Sequence, residues 1–472
     1  MLPRTTQSIA TMLTSKYPAE HGVMEIGQPL GHANLTLAEI LGKAGYRTAA
    51  VSANPVAGPL QGLDQGFETF VDRKQLNHRY GLTRPLDAPV PAGMGPAEAV
   101  TAESLRILEE DDPRPLFLWL LYMDPHWDYN PPAPFNEIVD WQIFDFYKAM
   151  RRFPSSKPTV YFDLNGRSSA ARRPISKLYD AEIRYTDAMI GHVMASIAAN
   201  RAETLLILTS DHGESLGEHG YFYQHGALAY QPCMHIPMIF SQPGRIPEGT
   251  RIDLPVSNID LVPTILSVLG IPAPPEADFS GLNLSPILLN PSKTSSSKIT
   301  DRIVTGESGT ALYPENPLRA IGGRDSADLQ FVRDQRWALV QRHDRAELFD
   351  HTVDPMLTND VSADHPELVE QLLAGLDRRP LFAGRWRTAR DGRFKAIRIP
   401  EAEGIRWELY DLEEDPLETT DIAEREASIL DRFKVYLEEV TQEAAARSAA
   451  RPASGDQEEI ERQLKALGYI AE

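Results

Sequence analysis

Thr204–Gly226, TLLILTSDHGESLGEHGYFYQHG, is the stretch that indicates both the fold and the chemistry of this protein. It begins with an apolar run, Leu205–Thr209, which is typical of a buried parallel strand. Asp211 and His212 follow the run, and ligands bind beyond the carboxyl ends of the strands in open α/β sheets. A carboxylate and an imidazole there are suited to hold a divalent cation, and the glycines that follow allow the backbone to bring His225 back toward them. The stretch therefore predicts a metal site at this strand end.

The composition limits the class of protein and its partners. The chain has 472 residues, which is enough for two or three domains, or for one large α/β domain and a smaller one. The formal net charge of -20 argues against a nucleic acid as partner, because a phosphate backbone is bound by a basic face. It does not argue against a small anionic substrate, since a local metal ion can override the field of the whole protein.

Cysteine content and the N-terminal residues bear on location. Cys233 is the only cysteine, so no intrachain disulfide can form, and its apolar neighbours favour a small buried side chain over a nucleophile. No apolar run is long enough to span a bilayer, and the first residues contain no apolar signal core. We therefore expect a cytoplasmic protein from the chain as written, or a periplasmic or extracellular one if a signal precedes Met1. The sequence gives no indication of an oligomeric state.

A second apolar run, Leu116–Met123, also ends in an acid and a histidine, Asp124 and His126. Both strand ends are expected at the same edge of the sheet. Asp124 precedes Pro125 in a tight turn, so a structural role and a role in the site are both open. His126 is better placed to donate a hydrogen bond to a substrate oxygen, where a donor stabilises charge that develops on a transferred group.

The second half of the chain contains one pattern twice. Arg336–Val361 and Arg393–Ile422 each read as a hairpin, a Glu-Leu-aromatic-Asp strand end and an Asp-Pro turn, followed by a helix. A Pro- and Ser-rich connection, Ile271–Lys298, precedes them. We therefore predict an α/β catalytic domain over residues 1–298, a smaller α+β subdomain with a duplicated hairpin–helix unit over 299–443, and a peripheral helical tail over 444–472.

Eight stretches occur in this order along the chain: LTSKYPAEHGV, LAEILGKAGYRTA, GLDQGFETF, YMDPHWDYNPPAPF, LYDAEIRYTDAMIG, TSDHGESLGEHGYFYQHG, VSNIDLVPTILSVLG and ELYDLEEDPLETTDI. Together they resemble the sulfatase family of the alkaline-phosphatase-like superfamily, from Thr5 to about residue 422. Any one of these stretches alone is weak evidence for the resemblance, but eight stretches in the family's order are specific to it. The resemblance implies an α/β fold with a mixed, mostly parallel sheet sandwiched by helices. It also implies a metal-dependent hydrolase of sulfate or phosphate esters, with a small anionic ester as substrate.

The resemblance implies a role for each candidate residue. Asp211 and His212 match the second pair of metal ligands, and the family's ion is most often Ca²⁺, with Mn²⁺, Mg²⁺ and Zn²⁺ as alternatives. His126 matches the histidine that contacts the ester oxygens, and His225 matches the basic residue that assists the leaving oxygen. Thr5 falls at the position of the nucleophile, and its alternative role is the N-cap of a helix. The other charged residues of the loop, Glu214, Glu218 and His219, are interpreted as scaffold.

The chain also departs from the family's pattern. Typical members have Cys-x-Pro-Ser-Arg, whose cysteine is oxidised to formylglycine, whereas Thr5-Thr6-Gln7-Ser8-Ile9 stands here. A hydroxyl residue is more typical of the phosphoesterase branches, in which an alkoxide beside the metal attacks phosphorus. The family's first strand, whose Asp pair supplies two further ligands, has no counterpart, and Ser52-Ala53-Asn54-Pro55 replaces a Lys-x-His pair. We therefore expect that the natural protein begins upstream of Met1; a degenerate family member is the alternative.

Three functions remain open from the sequence. The first is the metal-dependent ester hydrolase. The second is a catalytically inactive sulfatase-like protein that binds an anionic glycan or lipid headgroup, which the missing Asp pair favours. The third is a transferase of phosphoethanolamine type, which usually accompanies membrane helices that this sequence lacks.

Overall fold

The structure is a computed structural model, and it describes residues 3–448 except 25, 27, 83–93, 127–128, 139–158, 161–168, 201–202, 217, 219–221, 227, 292–301, 309–329, 334–335, 342–345, 351, 355–358, 377–384 and 402–403. Its helices are α1 (Thr5–Thr14), α2 (Pro18–His21), α3 (Leu37–Lys43), α4 (Arg73–Tyr80), α5 (Pro96–Leu108), α6 (Ser169–Asn200), α7 (Gln231–Met234), α8 (Leu261–Leu269), α9 (Ser285–Leu289), α10 (Pro366–Leu376) and α11 (Ala427–Ser448). Its strands are β1 (Arg47–Ser52), β2 (Thr69–Val71), β3 (Leu116–Leu121), β4 (Thr159–Val160), β5 (Leu206–Thr209), β6 (Ser215–Leu216), β7 (Phe222–Gln224), β8 (Met238–Ser241), β9 (Val304–Glu307), β10 (Gln330–Arg333), β11 (Trp337–Gln341), β12 (Ala346–Asp350), β13 (Arg387–Arg390), β14 (Phe394–Glu401) and β15 (Gly404–Asp411). Within the described residues, no helix combines the length and the hydrophobicity needed to cross a membrane.

A parallel sheet in the order β2-β1-β3 lies between two layers of helices. On one face, Phe117 and Trp119 of β3 pack against apolar side chains of α1, α3 and α8. On the other face, Leu118 and Leu120 of the same strand pack against Val100 of α5 and its neighbours. Alternate side chains of a strand point to opposite faces, so β3 contributes to both layers of the core. This arrangement is that of an α/β protein.

The strand predicted from Leu205–Thr209 forms as β5, but its surroundings differ from the prediction. Its partner among the described residues is β8, which runs antiparallel to it, and its four side chains are half-buried. The prediction of a buried parallel strand is therefore wrong in both respects. An apolar run indicates contact with the core, but the direction of the neighbouring strand depends on distant parts of the chain. Within the described residues, the second edges of β3 and β5 have no strand partner, and the side chains of both strands are half-buried.

Helix α1 is buried along its whole length, although six of its ten residues are polar. Its apolar side chains, which include Ile9 and Leu13, join the core under the sheet. Its polar side chains donate to backbone carbonyls of three separate segments: Thr6 Oγ1 to Val56 O (2.8 Å), Gln7 Nε2 to Met24 O (3.0 Å) and Ser8 Oγ to Asp211 O (2.7 Å). Because a buried polar group without a partner costs about 1–3 kcal/mol, these bonds fix both the position and the rotation of the helix.

The second half of the chain forms two sheets in which every strand pair is antiparallel except β10 with β4, and β4 belongs to the first half of the chain. One has the order β15-β14-β13-β9, and α11 packs against it through Phe433 and Leu437. The other has the order β12-β11-β10-β4. β12 and β15 end in similar turns, since an arginine pairs with the last aspartate of each strand: Arg336 with Asp350, and Arg393 with Asp411. The division of the chain at residues 298 and 443 stays a prediction, and residues 449–472 of the proposed tail lie outside the described part.

Ser8→Ala is expected to lower the free energy of unfolding by about 2 kcal/mol, because the Asp211 carbonyl and the Asn258 side-chain amide both lose a buried partner. Thr14→Val is the matched control, since it also removes a buried hydroxyl from α1. It should cost less than about 1 kcal/mol, because that hydroxyl donates to Ala10 O within its own helical turn. Urea denaturation of both variants measures the difference. Equal losses of unfolding free energy in the two variants would contradict the anchoring of α1 through Asp211.

Candidate active site

The side chain of Thr5 lies at the start of α1 and faces the loop that follows β5. Its Oγ1 is 3.3 Å from Nε2 of His212, and the same Nε2 is 3.3 Å from Oδ2 of Asp211. Arg4 occupies the N-cap position of α1, and Thr5 is the first helical residue, so the alternative role of Thr5 as an N-cap is wrong. Three electron-rich atoms from a helix and a loop therefore converge at one point.

The neighbours of His212 determine which of its ring nitrogens carries the proton. Nδ1 is 2.9 Å from Gly213 O, and a carbonyl oxygen only accepts, so Nδ1 donates this hydrogen bond. In the neutral ring, Nε2 then presents a lone pair to Thr5 and Asp211. Two electron-rich atoms at this distance need a positive charge between them, which either a proton or a metal cation supplies. Ligand atoms that each bind one cation at about 2.1 Å lie about 3.0–3.4 Å from each other, so the spacing fits a metal.

Asp211 is held in its ionised form despite its position. Burial opposes the charge, but the nearby imidazole of His212 and a hydrogen bond with the Thr5 side chain outweigh this effect. The pKa of Asp211 is consequently below its ordinary value. An ionised carboxylate is the form in which an aspartate coordinates a cation.

The described residues supply only part of a complete metal site. Asp211 and His212 are the two predicted ligands, whereas a protein-bound divalent ion usually has about four to eight donors. In the part of the chain that is described, no group of three or more Asp, Glu, His or Cys side chains is arranged like a set of metal ligands. The donor types and spacing of this pair fit a cation, and their role as ligands stays a prediction.

His225 returns to the site, and its ring stacks on that of His212. The ring centroids are 3.9 Å apart, and the planes differ by 26°. Nδ1 of His225 is 3.0 Å from Oε1 of Glu214, whose side chain is 5% exposed. Because a carboxylate accepts, Nδ1 carries a proton and the ring is oriented by this bond. Glu214, interpreted from sequence as scaffold, is therefore the direct partner of a predicted catalytic residue.

His126 joins the same group from the end of β3. Its ring meets the ring of His225 edge-on, with centroids 5.1 Å apart and planes at 73°. The five predicted site residues thus form one continuous series of contacts: Thr5, Asp211, His212, His225 and His126. The individual roles of these residues stay predictions. Of the other loop residues, Glu218 accepts from the Leu216 amide at 2.7 Å, as expected of scaffold, and His219 lies outside the described residues.

Asp124 makes structural contacts away from this group. Its carboxyl group accepts a hydrogen bond from the backbone of Ala97, in the first turn of α5, and the Thr186 hydroxyl donates to its carbonyl at 3.1 Å. The residue as a whole is half-buried, but its Oδ2 has no contact with solvent. Burial raises the pKa of Asp124 to about 6. Of the two roles that the sequence left open, these contacts favour the structural one.

Two residues beside Thr5 were not assigned to the site from sequence. Asn54 follows β1, its Nδ2 donates to Thr5 Oγ1 at 3.5 Å, and its Oδ1 accepts from Val56 N. Ligands bind beyond the carboxyl ends of the strands in open α/β sheets. This rule, which identified Asp211, would also have found Asn54. Arg4 is 4% exposed, and its Nε lies 3.1 Å from where a Cβ on Gly226 would stand, next to His225. No local sequence signal marks this position of Arg4.

Comparison with known proteins identifies the family. The sequence profile of the Sulfatase family matches residues 2–271. The chain belongs to the sulfatase family. It is 29% identical to Arylsulfatase K of Xenopus laevis over 207 residues, and 30% identical to Arylsulfatase K of Bos taurus over 205 residues. Both alignments cover 42% of this sulfatase chain, but only 36% and 35% of the two relatives. Iduronate 2-sulfatase of Mus musculus is 25% identical over 241 residues, which are 41% of this chain and 43% of the relative.

Solved structures confirm the predicted fold class for this chain. Phosphonate monoester hydrolase of Agrobacterium radiobacter has a TM-score of 0.59 at 20% identity, over 94% of this chain and 86% of the hydrolase. A protein in complex with its substrate D-glucosamine-2-N,6-O-disulfate has a TM-score of 0.57 at 17% identity, over 96% of this chain and 90% of that protein. At these identities the similarity shows the alkaline-phosphatase-like α/β fold alone. Sulfatases generally use a divalent metal ion, which agrees with the donor types of Asp211 and His212.

Asp124→Asn is expected to become more stable relative to the native protein as the pH rises. The raised pKa means that the folded state holds its proton up to a pH of about 6, whereas the unfolded chain releases it near pH 4. The native protein therefore loses up to about 3 kcal/mol between these pH values, and the amide does not. Urea denaturation of both proteins at pH values from about 4 to about 7 measures the difference. A difference that stays constant over this range would contradict a buried carboxyl at Asp124.

Proposed function

We propose that this sulfatase-family protein hydrolyses sulfate esters, with a divalent cation held by Asp211 and His212 and with the Thr5 hydroxyl as nucleophile. The observation that carries the proposal is the convergence of Thr5 Oγ1, His212 Nε2 and Asp211 Oδ2 at spacings of 3.3 Å. A nucleophile in contact with two electron-rich groups can lose its proton as it attacks. A bound cation would lower the pKa of the Thr5 hydroxyl and polarise the ester.

The geometry of Thr5 favours attack by its oxygen. Asn54 donates to Oγ1, which orients the lone pairs of the hydroxyl, while Ser8 holds the backbone of Asp211 against the same helix. The hydroxyl proton passes to the Asp211 carboxylate, which hydrogen-bonds with the Thr5 side chain, as the oxygen attacks sulfur, and it returns to Oγ1 when sulfate leaves. The bond from sulfur to the ester oxygen breaks, which leaves the sulfuryl group on Thr5 and releases an alcohol.

The two histidines at the other side of the site are suited to the leaving group and the sulfuryl oxygens. Glu214 accepts from Nδ1 of His225, so this ring, when protonated, has its Nε2 proton available for the leaving oxygen. His126 contacts the edge of that ring and is placed to donate to a non-bridging oxygen. In the second step, His225 takes a proton from the water that attacks sulfur, and sulfate leaves with Thr5 restored.

The relatives support a sulfated carbohydrate as the class of substrate. Iduronate 2-sulfatase is named for a sulfated sugar acid, and the structural neighbour described above holds a disulfated glucosamine. The guanidinium of Arg4 lies beside Gly226, the residue that follows His225, and adds positive charge for an anionic ester. This local charge offsets the formal net charge of -20 of the whole chain.

Hydrolysis of phosphate monoesters is the second candidate, and the hydroxyl at Thr5 is the observation that favours it. A threonine cannot be converted to formylglycine, so the intermediate is a simple ester of Thr5 that water must hydrolyse. This is the chemistry that the resemblance associates with the phosphoesterase branches. The two candidates use the same residues and differ in the group that is transferred.

Turnover of 4-nitrophenyl sulfate and 4-nitrophenyl phosphate by the full chain tests both candidates. With Ca²⁺, Mn²⁺, Mg²⁺ or Zn²⁺ added, we expect release of 4-nitrophenol that a chelator abolishes and the ion restores. Thr5→Val should lower kcat at least about a hundredfold, because it removes the nucleophilic oxygen at constant volume, whereas Thr5→Ser should retain measurable turnover. Faster turnover of the phosphate ester would select the second candidate. No turnover of either ester with any of these ions would contradict both and favour the inactive anion-binding protein.

A further inference from the structure

Two charged residues of the C-terminal sheet hold the segment that follows His225. This segment, Leu228–Met234, is called the backing segment here. Nζ of Lys395, in β14, donates to Ala229 O at 2.8 Å. Oε2 of Glu418 accepts from the backbone amide of Gln231 at 2.6 Å. The two side chains form an ion pair with 2.7 Å between Nζ and Oε1, at 2% and 0% exposure. One buried ion pair therefore binds both a carbonyl and an amide of the backing segment.

The backing segment in turn contacts the loop that carries Asp211, His212 and Glu214. The Gly213 amide donates to Cys233 O at 3.0 Å. A Cβ on Gly213 would lie 2.1 Å from Pro232 O, so the two backbones touch and no side chain fits between them. Gly213 lies between His212 and Glu214 in sequence. The position of the backing segment therefore sets the position of both side chains.

The surroundings of the ion pair argue that it has a task other than stability. It is buried where β14 meets the backing segment, and the apolar side chains of that segment pack against Trp386 and Ile397. A buried ion pair is often no more stabilising than well-packed apolar residues of the same volume. Charged groups can, however, bind backbone groups that lack a partner within a helix or sheet, such as Ala229 O and the Gln231 amide at the start of α7, which apolar groups cannot do.

The backbone of Glu418 supports the same interpretation. Its φ is 56°, in the left-handed region that residues other than glycine rarely adopt. Such a conformation persists where surrounding contacts impose it, and these positions cluster at functional parts of proteins. Here it directs the carboxylate inward, to the Gln231 amide and to Lys395. A second link, from the Tyr230 hydroxyl to Glu408 Oε2 at 2.9 Å, joins the backing segment to β15.

We propose that the Lys395–Glu418 ion pair is a positioning pair for the candidate site: it fixes the backing segment, which fixes the Asp211–Glu214 loop. The consequence for turnover rests on the function proposed above, whereas the consequence for the loop does not. The C-terminal sheet thereby contributes to the geometry of the site without contacting a substrate.

Amide hydrogen exchange of the full chain tests the positioning directly. In Lys395→Met, exchange of the Gln231 and Gly213 amides should accelerate at least about tenfold, while the amides of β1 stay protected. Arg393→Met is the matched control, since Arg393 immediately precedes β14 and pairs with Asp411, but its side chain is 47% exposed. It should leave both amides unchanged. Acceleration at Gln231 without any at Gly213, or equal acceleration throughout the protein, would overturn the proposal.

A double variant separates positioning from stability. Lys395→Met with Glu418→Leu removes the unpaired buried charge that the single variant leaves, so the thermal midpoint should recover toward that of the native protein. The double variant lacks the side-chain bonds to both Ala229 O and the Gln231 amide, so exchange of the Gly213 amide should remain fast. Recovery of Gly213 protection in the double variant would overturn the proposal, because apolar packing would then position the loop equally well.

The last measurement is the steady-state kinetics of the ester that the native protein hydrolyses. Both the single and the double variant should show kcat lowered at least about tenfold with KM changed less than about threefold, since the reacting groups are displaced while the substrate still binds. If kcat is unchanged in a variant whose Gly213 amide exchanges fast, the link between the Lys395–Glu418 ion pair and catalysis would be overturned. If the native protein hydrolyses no ester, the function proposed above fails, and the exchange rates of Gly213 alone decide the positioning.

Discussion

The hydrogen bonds of a buried polar helix are the constraint on which the candidate site depends. Helix α1 has no face toward solvent, so its hydroxyl and amide groups need partners inside the protein. Thr6 finds one in the segment after β1, and Ser8 finds one in the carbonyl of Asp211. Only one position and one rotation of the helix satisfy both bonds. In that position, the first residue of the helix, Thr5, faces His212.

The electrostatics of the site follow from this geometry. Asp211 is ionised, and Nε2 of His212 faces it because the other ring nitrogen donates to the backbone. This side of the site is therefore electron-rich, which suits the cation that we propose there. The opposite side contains His225, Glu214 and His126, which can donate hydrogen bonds to an anion. A site with a cation on one side and imidazole donors on the other is suited to an ester of an oxyanion.

Much of the site could be predicted from sequence, because strand ends in an α/β protein share one edge of the sheet. That rule gave Asp211, His212 and His126 from apolar runs followed by acids and histidines, and the family resemblance added Thr5. Both depend on local sequence and on its order, which one sequence contains. The rule was not applied to β1, and Asn54 was therefore missed.

The errors arose where distant parts of the chain decide the outcome. The antiparallel partner of β5 and the half-exposure of its side chains depend on strand pairing, which an apolar run does not encode. The same holds for the pairing of Glu214 with His225, which are eleven positions apart and meet only because the loop folds back. The contacts of Lys395 with the backing segment involve residues 166 positions apart, and no pattern in the sequence marks them.

We propose that α1 brings Thr5 to a cation site formed by Asp211 and His212. Titration of the full chain with Mn²⁺, followed by paramagnetic broadening of threonine methyl and histidine ring signals, tests it most directly. We expect the signals of the Thr5 methyl and the His212 ring to broaden saturably at the lowest Mn²⁺ concentrations. This broadening should be lost in Asp211→Asn. Sharp signals from both residues while Mn²⁺ broadens signals elsewhere on the acidic surface would contradict it.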